Sequence, residues 1–284
     1  MNWHETIEYI RTCPEYTELI EKAYLEENLP LNIERFRESE EFLETLSVLK
    51  KYVPNALLIL DIGSGNGVSS ISFALSGYNV VSIEPDSSNT IGAGAIRKLK
   101  EYYALKNIEI KEAYAEDLCF EDNTFDIVYA RQAMHHAKDL TKFVKEATKS
   151  LKKGGIFFSV RDHVLYNHEE DEKLFLESHP LQKFYGGENA YTEEEYKRAI
   201  ENANLTICKI LKHYDSVINY FPMTKAEFFQ RQWAYEKSKK KKLFNKFSIL
   251  NKSKMFQILY NKYINIFDET KIPGRLYSFI AIKK

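Results

Sequence analysis

Cysteine is scarce in this chain. Of 284 residues only Cys13, Cys119 and Cys208 are cysteines, they lie far apart, and no Cys-x-x-Cys pair occurs. That excludes a zinc knuckle and a disulfide framework, and it fits a reducing, intracellular setting. Long apolar runs are also missing. The longest, residues 56–60, is far too short to cross a bilayer. The N-terminal MNWHETIEYI is charged and has no apolar signal core, so a cytoplasmic location is expected. Nor is there an excess of one charge sign. Lys plus Arg number 40 against 41 for Asp plus Glu, so no whole-protein field draws the chain to nucleic acid. Internal repeats and low-complexity tracts are absent.

What is present is ordinary globular composition, 44% hydrophobic and 29% charged, enough for one domain with helical additions. Phe42, Leu46, Leu49 and Val53 recur at helical spacing and predict a helix over residues 32–53, ended by Pro54. An earlier helix within residues 5–27 is interrupted by Pro14. Strands are then expected at 56–61, 79–83, 108–111, 125–129 and 156–160. Helices are expected between them at 68–76, 87–105 and 139–151, with Gly77 closing the first. A capping-box spacing at Thr192 and Glu195 starts another helix. A strand follows at 204–211, and the chain closes with one at 275–282. Strands alternating with helices imply a mainly parallel sheet covered on both faces.

The chemistry concentrates at LDIGSGNG, residues 60–67, placed after a predicted strand and before a predicted helix. In an open α/β sheet ligands bind at that edge. Gly63, Gly65 and Gly67 let the backbone turn tightly and approach a ligand closely. Glu84 ends the next strand, in VVSIEPD, where a carboxylate can accept hydrogen bonds from a ribose diol. Dinucleotide-binding folds place an acid similarly, but they favour Gly-x-Gly-x-x-Gly. Here the spacing is Gly-x-Gly-x-Gly, and Asp61 directly precedes the turn. A carboxylate there repels a pyrophosphate and suits an ammonium or sulfonium.

This Asp-x-Gly-x-Gly-x-Gly turn with an acid after the next strand resembles class I S-adenosylmethionine (SAM)-dependent methyltransferases. The later blocks AEDLCFEDNTFDIVYARQAMHH and FVKEATKSLKKGGIFFSV resemble the ubiquinone-pathway group. FRESEEF, EPDSSNTIGAGAIRKL, ARQAMHHAKDL and HPLQKFYGGENAYT look like a bacterial methyltransferase family sometimes seen with surface-polysaccharide enzymes. The resemblance implies a Rossmann-like, mainly parallel seven-stranded sheet flanked by helices, with N-terminal helices and a helical insertion before the last strand. It implies SAM as cofactor and S-adenosylhomocysteine (SAH) as product. Gly63, Ser64 and Gly65 then line its methionine part, Asp61 contacts that part directly or through water, and Glu84 takes the ribose. Asn66, Gly67, Pro85, Asp86 and Arg131 complete the cofactor set. Many relatives carry Asp-Ala at the adenine position. Here the pair is Tyr114-Ala115, so Tyr114 is expected to cover the adenine face while Glu116 or Asp117 reaches its amino group.

Methyl transfer is an in-line displacement in which positioning supplies much of the catalysis. An oxygen nucleophile also needs its proton removed, which suits histidine. His163, then His136 and His135, are the candidate bases, since they follow the fifth and fourth strands at the sheet's carboxyl edge. For the His135–His136 pair, fixing the turn is the competing reading. Arg131 and Arg161 suit an anionic acceptor in a bidentate fork, with a local salt bridge as the alternative for each. Tyr185, in FYGGENAYT, is placed on the acceptor wall, with a plain turn as its alternative. ARQA lacks the Asn/Asp-Pro-Pro-aromatic box of base-amino methyltransferases, and no Pro-Cys offers a thiolate for cytosine. No metal is expected.

One domain over residues 1–284 is anticipated: a helical cap at 1–54, a SAM-binding core at 55–212, a helical lid at 213–270 and a final strand at 271–284. The lid is basic and aromatic, with Lys239 to Lys242 consecutive and Phe221, Phe228, Phe229, Trp233, Phe244, Phe247, Phe256, Tyr260, Tyr263 and Phe267 along it. The first fifty residues are acidic, which favours docking of the two. The expected activity is methyl transfer to a small-molecule or glycan-type acceptor, at oxygen. C- or N-methylation of a small metabolite and SAM binding without catalysis are the rivals. An anionic lipid-linked or nucleotide-linked acceptor would bring peripheral membrane contact at the lid. The sequence does not specify an oligomeric state.

Overall fold

The computed structural model describes residues 1–234 and 273–284. The N-terminal segment is helical: α1 (Trp3–Arg11), α2 (Thr17–Lys22), α3 (Leu29–Glu38) and α4 (Glu40–Tyr52). Asn2 and Glu5 form a reciprocal capping box at α1. The single helix expected over 32–53 is in fact two. Ser39 takes an extended backbone and its hydroxyl accepts from the Phe42 amide, so it caps α4 at the point where α3 stops.

The α/β core follows as β1 (Leu58–Ile62), α5 (Val68–Leu75), β2 (Asn79–Ile83), α6 (Ala93–Tyr102), β3 (Ile108–Lys111), β4 (Phe125–Arg131), α7 (Leu140–Lys149) and β5 (Leu151–Leu165). Then come α8 (His168–Ser178), α9 (Gln182–Tyr185), β6 (Tyr191–Thr192), α10 (Glu193–Asn202), β7 (Leu205–Leu211), α11 (Val217–Tyr220) and β8 (Arg275–Lys283). The strand order is β3-β2-β1-β4-β5-β8-β7, with β6 paired to β5 off this path. The pairs among β1 to β5 are parallel, and β8 runs antiparallel to β5 and β7. This is the expected Rossmann-like sheet of seven strands, with the two-residue β6 added. Its order reverses between β1 and β4, where a crevice opens at the carboxyl ends of the strands.

Two core layers cover the sheet. Leu60, Val128 and Phe157 face one layer with Phe143, Val144 and Ile200. Ile59, Ile127 and Phe158 face the other with Phe36, Phe42, Ile71 and Ile96. Alternate residues of each strand thus serve opposite faces, as the two-residue strand period requires.

Three boundaries differ from expectation. Helix α6 starts at Ala93, not near 87, because the preceding loop is held by side-chain and backbone bonds of its own. Asp86 Oδ1 accepts from the Ser88 amide, and the Asp86 carbonyl accepts from Ala93. A Cβ at Gly92 would lie 2.2 Å from that carbonyl oxygen. Strand β5 runs on to Leu165, past a register shift opposite β8 between Ser159 and Asp162. Arg161 sits there with φ +63°. The bulge re-aims the next side chains, which brings His163 to the crevice and sets Asp162 behind His135. Finally, residues 213–222 belong to the core unit. The chain divides into one compact unit of residues 1–222 and 273–284 and another of 223–272, so the insertion starts at 223, because Ile218 of α11 is buried in the core layer beside α4. Residues 225–234 are helical, opened by reciprocal bonds between Thr224 and Glu227. The expected helix beyond 234, Lys239 to Lys242 and the aromatics from Phe244 to Phe267 lie outside the described residues. No described helix is long and apolar enough to cross a membrane.

Candidate active site

The glycine turn is built from backbone geometry. Gly63, Gly65 and Gly67 have φ of +66°, +55° and +87°, where a side chain is strained. At Gly63 a Cβ would also meet the Ala133 Cβ at 2.7 Å. The amides of Gly63 and Ser64 both donate to the Ile83 carbonyl, which ties the turn to the end of β2. Asn66 Nδ2 donates to the Tyr24 carbonyl at 2.7 Å and so links the turn to the N-terminal helices.

Two buried carboxyl groups flank the turn. Glu84 accepts from the Gly65 amide at 2.7 Å and the Asp86 amide at 2.8 Å. Burial pushes its pKa up to about 7, against the pull of those two amides. Among the described residues no cation pairs with it. Asp61 accepts from Ser70 Oγ at 2.5 Å, and burial raises it to about 7 although that hydroxyl opposes the shift.

A cavity of about 510 Å³ opens over the turn, within the roughly 300–1,000 Å³ of small-molecule sites. Gly63, Ser64, Gly65, Asn66, Glu84, Pro85, Asp86, Tyr114, Ala115 and Glu116 line it, as do Arg131, His135, His136, His163 and Tyr185. The fold therefore brings most of the sequence-derived candidates to one space. Three stand apart from its wall. Asp61 faces Ser70 beneath the turn, Gly67 packs where a Cβ would meet Ile96 at 2.9 Å, and Arg161 lies elsewhere.

The two arginines follow the salt-bridge alternative. Arg131 holds Glu41 in a fork, Nε to Oε1 at 2.6 Å and Nη2 to Oε2 at 3.2 Å. Arg161 donates to the carbonyls of Ile218 and Phe221 and stands 3.7 Å from Glu41. Burial alone would raise Glu41, but the two guanidinium charges more than offset it and hold the carboxyl below its usual range. Arg161 as an acceptor clamp is thus corrected: its guanidinium is taken up by two carbonyls and Glu41, and it does not line the cavity. Arg131 borders the cavity with its fork already occupied.

The opposite rim is a histidine cluster. His135 is buried between two carboxylates, with Nδ1 3.0 Å from Asp162 Oδ1 and Nε2 3.3 Å from Glu188 Oε2. Burial opposes its charge, but Asp162 and Glu188 together raise its pKa to about 9. His135 is therefore corrected as a general base. Both its nitrogens are engaged, and in the absence of another cation it is protonated at neutral pH. His136 Nδ1 stands 3.2 Å from the Gly187 carbonyl and His163 Nδ1 2.9 Å from the Gly274 carbonyl. A carbonyl only accepts, so each Nδ1 carries the proton and each Nε2 is left with its lone pair. Burial and then the charge of His135 lower His136 to about 4 and His163 to about 3.

Glu188, 7% exposed, anchors this rim. Burial pushes its carboxyl up, but the bond to His135 and the neighbouring imidazoles bring it down to about 2. Tyr185, expected on the acceptor wall, donates its hydroxyl to Glu188 Oε1 and packs edge-on against Trp3. Glu188, Asp162, His179 and Glu41 were missed by the sequence reading. FYGGENAYT contains Glu188, and Asp162 lies between Arg161 and His163, the two candidates on that strand.

Comparisons with known proteins bear on this arrangement. Residues 60–159 match the family described as Methyltransferase domain. The uncharacterized methyltransferase YcgJ of Bacillus subtilis is 32% identical over 112 residues, 37% of this chain and 40% of that protein. A ubiquinone biosynthesis O-methyltransferase of Pelagibacter ubique is 33% identical over 103 residues, 35% of this chain and 40% of that protein. The chain thus spans about two fifths of the length of these relatives. Geranyl diphosphate C-methyltransferase from Streptomyces coelicolor A3(2) superposes with a TM-score of 0.56, covering 86% of this chain and 79% of that one, at 13% identity. At that identity the likeness is one of fold. Residues 60–159, from β1 to β5, thus match a methyltransferase domain in sequence, on a fold shared with solved methyltransferases.

Proposed function

We propose that this protein transfers a methyl group from SAM to a hydroxyl oxygen of a small-molecule or glycan-type acceptor. The observation that carries the reading is the shared cavity, with the glycine turn and Glu84 at one end and the histidine rim at the other. The residues at the first end fit the cofactor. Among the described residues Glu84 is a buried carboxyl without a cation, and a ribose diol supplies two donors to its remaining lone pairs. Gly63 and Gly65 give close backbone approach to the methionine part, while Tyr114, 64% exposed, can cover the adenine face beside Glu116. Asp61 is held beneath the turn by Ser70.

Bound SAM supplies an electrophilic methyl group on a sulfonium, which leaves as a neutral thioether and needs no acid. The chain's own task is then to align the acceptor and take its proton. His136 is suited to that step. Its side chain lines the cavity, its Nδ1 proton is committed to Gly187, and its Nε2 is placed to accept, although crowding by the surrounding atoms and the charge of His135 weaken it as a base. The cavity volume favours a small acceptor or one sugar unit of a larger one.

The test is calorimetric titration with SAH, followed by transfer of labelled methyl groups to a panel of hydroxylated metabolites and sugars. One SAH per chain and a methyl ether as product are expected. Failure to bind SAH would overturn the cofactor assignment, and label found only on carbon or nitrogen would overturn the oxygen assignment. SAH binding without turnover on any acceptor would favour a SAM-binding protein without catalysis.

A further inference from the structure

The histidine rim contains more than a proton acceptor needs. His135, His163 and Glu188 each offer one ligand atom, and the three atoms lie within 4.8 Å of one another. Two imidazoles and a carboxylate form the donor set of many open metal sites. We infer that these three residues hold a divalent metal ion of the zinc type at the acceptor end of the cavity.

Three observations support the site independently of its composition. First, the spacing suits a small ion. Ligands about 2.1 Å from a tetrahedral centre stand about 3.4 Å apart, and His135 Nε2 lies 3.3 Å from Glu188 Oε2. The widest edge closes from 4.8 Å by a shift of about 1.4 Å to reach the same value. Second, both imidazoles are oriented from behind. His135 Nδ1 is held by Asp162, which also accepts from the His135 amide and from Ser159. His163 Nδ1 is held by the Gly274 carbonyl. Metal-bound histidines are oriented in this way, with the second nitrogen donating to a carboxylate or a carbonyl. Third, Glu188 is more than nine-tenths buried, its Oε1 is taken by Tyr185, and its Oε2 stands 3.3 Å from His135 Nε2 without hydrogen-bond geometry among the described residues. That oxygen has room for a ligand bond that the imidazole does not complete.

The charge balance agrees. Asp162 and Glu188 place two carboxylates around one imidazole in a buried site. A divalent ion neutralises both and displaces the proton that otherwise lies between His135 and Glu188. Three protein ligands leave a fourth position open. This use of the site rests on the methyl-transfer reading. An ion held there would act as a Lewis acid toward the acceptor oxygen, whose proton would pass to a base at the rim. The oxygen then bonds to the methyl carbon as the carbon–sulfur bond breaks, and the electron pair leaves on sulfur.

The experiment uses the full chain after chelator treatment, titrated with Zn²⁺ by calorimetry and with Co²⁺ by visible absorption. One equivalent of Zn²⁺ is expected, with intense tetrahedral Co²⁺ bands. His163→Gln and Glu188→Gln should each weaken Zn²⁺ binding at least 30-fold while SAH affinity stays within threefold, which also shows that the variants fold. If either variant does not fold, the wild-type Co²⁺ spectrum decides the matter: octahedral-type weak bands or none would overturn the site. Zn²⁺ binding unchanged in both variants would overturn it as well. SAH binding without specific metal binding overturns the metal site and leaves the methyltransferase reading intact. Metal binding without SAH binding does the reverse.

Discussion

The two rims of the cavity treat buried carboxyl groups in opposite ways. At the glycine turn, Asp61 and Glu84 are pushed up to about 7 by burial. At the histidine rim, burial acts on Glu188 in the same sense, yet its carboxyl is held at about 2. The difference is a cation in contact. His135 faces Glu188 and Asp162, whereas the direct donors to Asp61 and Glu84 among the described residues are hydroxyl and amide groups, with Arg131 acting on Asp61 through its charge. A buried carboxylate without a cation is stabilised by whatever brings donors or positive charge to it, which suits a site completed by a ligand. A carboxylate paired to an imidazolium is already stabilised in the ligand-free chain, and removing its partner exposes the full desolvation cost.

The largest expected effect follows from that second case. Asp162 is fully buried and accepts from the His135 amide, His135 Nδ1 and Ser159 Oγ. Asp162→Ala should destabilise the fold by about 3–5 kcal/mol, the scale for breaking a buried ion pair by removing one partner. Urea unfolding at pH 7 measures it. A loss below about 1 kcal/mol would mean that the histidine rim is effectively solvated, and the contrast between the rims would fail. At the other rim the effect should fall on binding. Glu84→Ala is expected to weaken SAH binding by roughly 1.5–3 kcal/mol, the range for hydrogen bonds to a charged group. Calorimetry showing unchanged affinity would remove Glu84 from the ribose position.

The two rims were also unequally legible in the sequence. The glycine turn and Glu84 lie within 22 residues, 63 to 84, and between recognisable strands. Their geometry depends on local rules: positive φ at glycine and a carboxylate at a strand end. The sheet was legible for the same reason, since β1, β2, β4 and β8 announce themselves by short apolar runs. The histidine rim is assembled across distance. His135 meets Asp162 from 27 residues away, and Arg131 meets Glu41 from 90. No periodicity encodes which partner a buried arginine will find, so Arg161 and Arg131 could be read as acceptor clamps until Glu41 was placed between them. The bulge after Ser159, which separates Arg161 from Asp162 and His163, has no glycine to mark it. Ser39 was a milder case, because its capping role competes with a helical pattern that continues on both sides.

The smallest expected effect isolates burial from pairing. Asp61 is 1% exposed, and its folded pKa of about 7 lies above the ordinary 3.8. A carboxyl shifted upward binds its proton more tightly in the folded chain than in the unfolded one. It therefore contributes stability that is fully present below its unfolded pKa and is lost as pH rises through about 7. Asp61→Asn has nearly the same shape, can still accept from Ser70, and does not titrate. The comparison of wild type with this variant cancels the other ionisable groups, including the histidines whose lowered pKa values act in the opposite sense. Between pH 6 and 8 the wild type should lose about 1 kcal/mol relative to Asp61→Asn, or about 2 °C in melting temperature for a chain of this size. Ligand-free protein must be used, since a sulfonium near the turn would favour the ionised carboxylate. Parallel pH profiles for the two proteins would show that Asp61 is not raised, and that a nearby charge such as Arg131 compensates burial at the glycine turn as His135 does at the other rim.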